Sequence, residues 1–241
     1  SLLSLSMLDR FEEEHGQAID LRRCGYLFLL TRPEDEAVFR QHVTLQHSMG
    51  VMTEWLDGDE IHRRVPLLQL DDVLAGTFHP DEGLADPNSV LMGYINSARR
   101  LGVRILTDMD TTGITVESGK VRAVHTSRDV IDCEVVVNAG GPWAALVGRM
   151  AGLSLPVSPI RRQWLTTTPI PELQSDFPFV VDFAHSLYFH REGNGLLTGM
   201  SNPAQSAGFD QRVDQEWELV HMEMAAARIP MLEQAGVMAS V

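Results

Sequence analysis

The sequence predicts a mixed fold, α/β in its middle and α+β overall, in which an open-sheet layer is interleaved with a β-rich antiparallel sheet. Three observations predict it. The run Cys133-Glu134-Val135-Val136-Val137-Asn138-Ala139-Gly140-Gly141-Pro142-Trp143-Ala144 reads as a β-branched strand that ends in small residues and then opens a helix with proline in its first turn. From Pro156 onward, short apolar runs alternate with Pro, Asp and Gly signals, the texture of antiparallel strands. At 241 residues the chain is long enough to bury a real core, as one large domain or two modest ones.

Taken in order, Leu2, Leu5, Leu8 and Phe11, broadened by Leu3 and Met7, predict an amphipathic first helix with Glu12, Glu13 and Glu14 on its polar side. The chain opens on this helix rather than on methionine, so we expect it to be the central piece of a longer protein. Residues 25–31 read as a strand, and Pro33 followed by Glu34, Asp35 and Glu36 starts a helix that ends at Gly50. Residues 53–56 and 74–78 are short strands, with a brief helix over 57–64 between them. Asp86 is the expected N-cap of a helix with Pro87 at its first position, and Val90, Leu91, Tyr94, Ile95 and Ala98 recur at helical spacing up to Gly102. Residues 103–106 continue as a strand, and 114–117 with 121–124 form a hairpin about Ser118-Gly119-Lys120.

Residues 135–137 predict a strand buried on both faces. Ala139, Gly140 and Gly141 then remove side-chain bulk where another molecule can approach the backbone. In open α/β sheets ligands sit at the carboxyl ends of strands, so this turn points to a nucleotide cofactor, although a purely structural turn satisfies the same pattern. A helix over 142–150 stops near Gly152. Strands follow over 160–168, 179–183, 186–191 and 196–200, and a last helix runs from Asp214 toward Arg228.

Composition narrows the partners. Nineteen basic against thirty-three acidic residues give a net charge of -14, which disfavours nucleic acid and anionic membrane surfaces. Cys24 and Cys133 lie far apart in apolar contexts, which predicts two reduced, buried thiols in a cytoplasmic protein. No metal site is expected: His42 and His47 share a helix, but their five-residue spacing misses one face and no acidic partner is suitably placed. No stretch reaches the length of a membrane span, and the first residues do not form a signal peptide.

Four segments carry a resemblance. They are Asp81-Glu82-Gly83-Leu84-Ala85-Asp86-Pro87, the run from Val135 to Trp143, Leu155-Pro156-Val157-Ser158-Pro159-Ile160-Arg161-Arg162-Gln163, and Leu187-Tyr188-Phe189-His190-Arg191-Glu192-Gly193-Asn194-Gly195-Leu196-Leu197-Thr198-Gly199. In order and spacing, they resemble the D-amino-acid-oxidase-like FAD-dependent oxidoreductases, especially the branch with sarcosine oxidase and dimethylglycine dehydrogenase. The fold class this implies is a partial FAD-binding Rossmann-like domain, residues 1–20 and 84–156, interleaved with a β-rich antiparallel-sheet substrate domain, residues 21–83 and 157–241. Thr111 matches the strand that passes the adenine, Ala139, Gly140 and Gly141 match the turn against the cofactor, and Trp143 follows it. The family's G-x-G-x-x-G turn, which holds the pyrophosphate at a helix N-terminus, does not occur in this sequence. FAD is therefore implied for the full-length parent and expected to bind this chain weakly or not at all.

The substrate-side expectations follow from alternation and from the same resemblance. On the strand from Ile160, alternation puts Arg161 and Gln163 on one face and Arg162 and Trp164 on the other. The resemblance aligns Arg161 and Gln163 with the family's R-x-Q, and a guanidinium can grip a substrate carboxylate through two hydrogen bonds. Tyr188 and His190 also share one strand face, where a phenol and an imidazole can orient an amine or take its proton. A half-buried structural role satisfies both equally. Ser201 stands where relatives of this branch carry a histidine near the flavin. Asp182 and His185, in a turn-like region, receive no role.

The activity implied is oxidation of a small amine or amino acid, sarcosine- or dimethylglycine-like, at the carbon next to nitrogen. Two other readings stand beside it: a non-catalytic binding or assembly module on the same β platform, and a fragment of a flavin-dependent 2-hydroxy-acid dehydrogenase. The helix from Ser1, the helix from Asp86 and the Val135 strand carry apolar faces that predict self-association of the isolated chain.

Overall fold

Most of the longer helices begin where the sequence supplies a cap or a proline. In the computed structural model, which describes residues 2–241, the first helix is broken in two: α1 (Leu2–Asp9) and α2 (Phe11–His15) are separated at Arg10. Ser1 lies outside the described residues. β1 (Tyr26–Leu30) leads to α3 (Pro33–Ser48), which carries proline and three acids in its first turn. After β2 (Glu54–Leu56), α4 (Gly58–Arg64) starts on a capping box. The Asp57 carboxylate accepts the Glu60 N–H at 2.8 Å, and the Glu60 carboxylate accepts the Asp57 N–H at 3.0 Å. Beyond β3 (Ala75–His79), α5 (Pro87–Arg100) begins at Asp86, whose carboxylate accepts the Ser89 N–H at 2.7 Å.

The middle of the chain holds β4 (Thr111–Glu117), β5 (Lys120–Thr126), β6 (Val130–Asp132) and α6 (Ala144–Met150). The expected hairpin is present, and Ser118 and Gly119 at its tip both take positive φ, the backbone form whose twist matches the flanking strands. Two expected strands are absent. Residues 103–106 form none, and residues 135–137, read as a strand buried on both faces, are unpaired. Val135 is 78% and Val137 86% exposed. A strand exists only where a neighbour completes its ladder, and among the described residues no backbone hydrogen bond reaches 135–137.

The remainder forms β7 (Gln163–Thr167), β8 (Phe179–Asp182), β9 (Leu187–Glu192), β10 (Gly195–Met200), α7 (Gln215–Arg228) and β11 (Val237–Ser240). Eight strands make one sheet in the order β11-β7-β10-β9-β8-β1-β3-β2, and β4-β5-β6 make a second. The large sheet is mixed rather than wholly antiparallel, because β1 runs parallel to β8 while its other pairs are antiparallel. Two compact units result, one comprising residues up to 97, 162–203 and 212–241, the other 98–161 and 204–211. These units cut the chain at other points than the expected boundaries at 20, 84 and 156. Cys24 and Cys133 are free and partly buried.

Within the larger unit, Leu27, Leu29, Val180, Leu187, Phe189 and Leu196 fill one sheet face and pack with Phe177, Ala225 and Ile229. An ionic cluster closes that core. Arg228 donates to Asp182 at 2.6 and 3.1 Å, to Asp72 at 2.8 and 3.0 Å, and to the Gln69 carbonyl at 2.6 Å. The hydrogen bonds from Arg228, its largest influence, hold the Asp72 carboxyl below the usual carboxylate range. His185, 3.0 Å from Asp182, joins the same cluster, so the two residues given no role in their turn-like region are structural. Nearby, His221 is fully buried with its Nε2 3.0 Å from the Thr198 hydroxyl, and burial pushes its pKa down to about 4.

Two stability predictions follow from these buried polar groups. Arg228→Met leaves Asp182 as an uncompensated buried charge and is expected to cost roughly 3–5 kcal/mol in denaturant unfolding, with partial recovery when Asp182 is also made leucine. For His221 the folded pKa lies below the unfolded value of roughly 6.5, so its stabilisation is whole above that pH and is lost as pH falls toward 4, by about 3 kcal/mol. His221→Gln should remove that component from the pH dependence of unfolding, as measured against the wild type at matched pH.

Candidate functional site

The sheet face opposite the core carries the chemistry. Register brings Tyr26 beside His79 and Phe179, Phe28 beside Thr77 and Val181, Val181 beside Tyr188, and Tyr188 beside Gly199. Residues directly opposite one another point to the same face, so these side chains form one surface. Its rings are nearly parallel. Phe179 lies 4.5 Å from Tyr26 at 12°, 5.5 Å from Tyr188 at 16° and 5.5 Å from His190 at 20°. Gly199 is what lets Tyr188 lie down, since a Cβ at that position would overlap the phenol.

Electrostatics set the protonation of these groups. Burial raises the phenol pKa of Tyr188, and burial together with Glu82 and Tyr188 raises that of Tyr26, so both are neutral hydroxyls. Burial lowers the His190 pKa against a smaller opposing effect of the Arg191 carbonyl and Glu192. His190 Nδ1 lies 3.1 Å from the Arg191 carbonyl, which can only accept. The proton therefore sits on Nδ1, and Nε2 presents a lone pair.

The expected R-x-Q surface divides. Gln163 is buried on the core face, where its amide bonds both backbone groups of Asp214, the N-cap of α7: it accepts from the N–H at 2.9 Å and donates to the carbonyl at 3.2 Å. Register fixes this, because Gln163 pairs with Met200 of the core row whereas Trp164 pairs with Gly199 of the open row. Gln163 is thus a structural residue and not part of the Tyr188 surface. Arg161 lies ahead of the strand, in the smaller unit. Its Nε and Nη2 donate to Gln205 at 3.1 and 2.9 Å, and Asp210 lies 3.9 Å away. Ser201 follows β10 and donates its N–H to the Ser186 carbonyl at 3.3 Å.

In the smaller unit, Ala139, Gly140 and Gly141 form an open turn. Asn138 braces it, accepting the Gly140 N–H at 3.1 Å and donating to the Ala144 carbonyl at 2.9 Å. Among the described residues the N–H groups of Ala139 and Gly141 make no hydrogen bond. Trp143 is 46% exposed and stacks on Phe209 at 5.6 Å. Thr111 opens β4 and is exposed. Small residues with free donors and open space above Gly141 fit a flat, polar-edged ligand.

Residue reasoning missed Tyr26, Phe179 and Glu82. The first two were within reach, because period-two alternation over 25–31 puts Tyr26 and Phe28 on one face, and aromatic rings on a sheet face flag a binding surface. Glu82 lies in the Asp81-Glu82-Gly83 turn, whose shape depends on Gly83: a Cβ there would overlap the Arg22 carbonyl. That close approach lets Arg22 and Leu84 exchange hydrogen bonds at 2.8 and 2.9 Å. Among the described residues, no group of three or more His, Cys, Asp or Glu can hold a metal ion.

Comparison with known proteins gives concordant findings. A family model described as "FAD dependent oxidoreductase" (DAO) matches residues 1–240. The chain is 29% identical to the mitochondrial dimethylglycine dehydrogenase of Rattus norvegicus over 97% of its own length and 30% of that protein. It is 28% identical to the mitochondrial sarcosine dehydrogenase of Homo sapiens over 95% of its length and 26% of that protein. Among solved structures, L-proline dehydrogenase from P. horikoshii superposes with a TM-score of 0.89 at 26% identity, covering 98% of this chain and 63% of that one. Glycine oxidase from Geobacillus kaustophilus gives 0.84 at 26% identity, covering 99% and 64%. The chain thus spans less than a third of these curated relatives and under two thirds of these solved chains.

The Tyr188–Gly199 contact is open to a direct test. Gly199→Ala is expected to cost roughly 1–3 kcal/mol in chemical denaturation, because the new methyl must displace the phenol. In a Tyr188→Ala background the same substitution should cost much less, a coupling that a double-mutant cycle measures.

Proposed function

Because the chain belongs to the DAO family of FAD-dependent oxidoreductases, we propose that the full-length protein oxidises a small amine or amino acid, sarcosine- or dimethylglycine-like, at the carbon next to nitrogen. The observation that carries this reading is the open sheet face on which Tyr188 and His190 stand together with a neutral phenol and an imidazole lone pair. An amine must lose its proton before its carbon can give up hydride. His190 Nε2 takes that proton, and the Tyr188 hydroxyl orients the nitrogen. Arg161 receives the carboxylate and Ser201 adds a hydroxyl on the substrate side. The aromatic slab of Tyr26 and Phe179 keeps water from the reacting carbon.

Bound FAD supplies the hydride acceptor. Ala139, Gly140, Gly141, Trp143 and Thr111 are the residues proposed to hold it, within a cofactor domain of residues 1–20 and 84–156; residues 21–83 and 157–241 make the substrate domain. The free N–H groups and small side chains of the turn fit one wall of such a site. No G-x-G-x-x-G run occurs in residues 1–241, so these residues alone are proposed to bind FAD weakly. The oxidised product is an imine, which water hydrolyses to a carbonyl and the shortened amine.

Among the described residues, no helix is long and apolar enough to cross a membrane. The two free thiols support a reducing compartment, and a cytoplasmic location belongs to this proposal, although the mammalian relatives are named as mitochondrial. Exposed Val135, Val137 and Leu153 support self-association of the isolated chain.

Anaerobic mixing of the FAD-loaded full-length protein with sarcosine, dimethylglycine, proline and 2-hydroxy acids tests the reading. An N-methylated amine is expected to bleach the flavin, and Tyr188→Phe to lower kcat/KM by about tenfold through loss of one hydrogen bond to a charged or polar group. Bleaching by a 2-hydroxy acid alone would move the assignment to the hydroxy-acid branch. Inertness to every compound would favour the non-catalytic module.

A further inference from the structure

We propose that the cleft bounded by the end of α4 and the approaches to β1 and β8 is an anion site, which takes a small phosphate monoester. It holds about 370 Å³, all within the larger unit, and so has room for a small organic molecule. The cleft lies on the core side of the sheet. Register pairs Phe78, which lines it, with Leu27 of the core row, whereas the neighbouring pair of Tyr26 and His79 stands on the Tyr188 face. It is therefore separate from the proposed redox surface.

Three arginines line the cleft: Arg23 ahead of β1, and Arg63 and Arg64 in the last turn of α4. The chain has nineteen basic residues and a net charge of -14, so anions are repelled by the protein as a whole and this cluster is a local reversal. Two of the guanidiniums are held from the side. Arg64 Nη2 donates to Glu54 at 2.5 Å, Arg23 Nη2 donates to Asp9 at 2.5 Å, and Arg23 Nη1 donates to the Asp81 carbonyl. Exposed pairs of this kind are weak, and a guanidinium has five N–H groups, so the pairs orient these two side chains without saturating them. Arg63 makes no hydrogen bond or ion pair among the described residues.

The guest follows from the donors and the walls. One guanidinium fork is filled by a single carboxylate, whereas a phosphate offers three oxygens to guanidiniums arriving from two segments. The walls are apolar: the Phe78 ring, with the Arg64 guanidinium 4.5 Å from its centroid, Pro80 and Pro178. They suit a short carbon body on the phosphate. Asp176 is on the lining and exposed, where it repels a long polyanion; with the net charge it sets nucleic acid and anionic membranes apart from the guest.

The site needs neither turnover nor an amine, so its test is independent of the proposed oxidation. Calorimetric titration of the FAD-loaded full-length protein at low ionic strength compares phenyl phosphate with phenol, the same body without the anion. Phenyl phosphate is expected to bind at one site per chain, and phenol roughly tenfold or more weakly. Arg63→Gln should weaken phenyl phosphate about tenfold through loss of charge-assisted hydrogen bonds, and Asp176→Asn should strengthen it about threefold by removing a like charge. The Arg63 side chain bonds nothing within the chain, so the fold tolerates its loss. Arg161→Gln should leave the affinity within about twofold. Three results would overturn the proposal: no heat with phenyl phosphate; phenol binding as tightly; or unchanged affinity in Arg63→Gln, with loss in Arg161→Gln placing the anion at the proposed carboxylate grip instead.

Discussion

The buried ion cluster about Arg228 is the constraint on which the larger unit depends. One guanidinium at the end of α7 satisfies Asp182 at the end of β8, Asp72, and the Gln69 carbonyl, and the Gln69 N–H returns a 2.8 Å bond to the Arg228 carbonyl. Arg228 is 5% and Asp182 1% exposed, so neither charge can be left alone at tolerable cost. The geometry must therefore be met by helix, strand and loop together. That ties α7 across the core face and leaves the opposite face of the sheet open for chemistry.

Register then decides which residues reach that open face. A shift of one residue in β7 would bring Gln163 to the Tyr188 side and bury Trp164. The observed pairing commits Gln163 to the N-cap of α7 instead, where it fixes the helix start as Arg228 fixes its end. Two ends of one helix are thus pinned by side chains that a sequence comparison could mistake for substrate ligands. The glycines are the complementary device: Gly199 lets Tyr188 lie flat, and Gly83 lets the Asp81-Glu82-Gly83 turn close onto Arg22. Both put polar groups at the rim of the aromatic surface.

In the second unit, a segment of strand-like composition forms no strand. Residues 135–137 have the β-branched composition of a buried strand, yet Val135 and Val137 are exposed and the following turn keeps free N–H groups. Composition states a preference, but pairing is a property of two segments.

Much of this was legible in the linear order of residues. The capped helices at Asp57, Asp86 and Asp214, the Ser118-Gly119 hairpin and the strands of the large sheet other than β11 follow from local rules, because caps, turns and period-two alternation act over a few residues. Family membership followed from the order of four segments. The parallel β1–β8 pair, the core-facing fate of Gln163, the ion cluster joining residues 72, 182 and 228, and the packing of Phe28 and Phe183 against Phe39 did not. Each unites residues far apart in the chain, and which of them meet is decided by the closure of the sheet and the cost of burying unpaired charge. Local order sets what can stand on each strand; long-range closure of the sheet sets which face is sealed and which stays open.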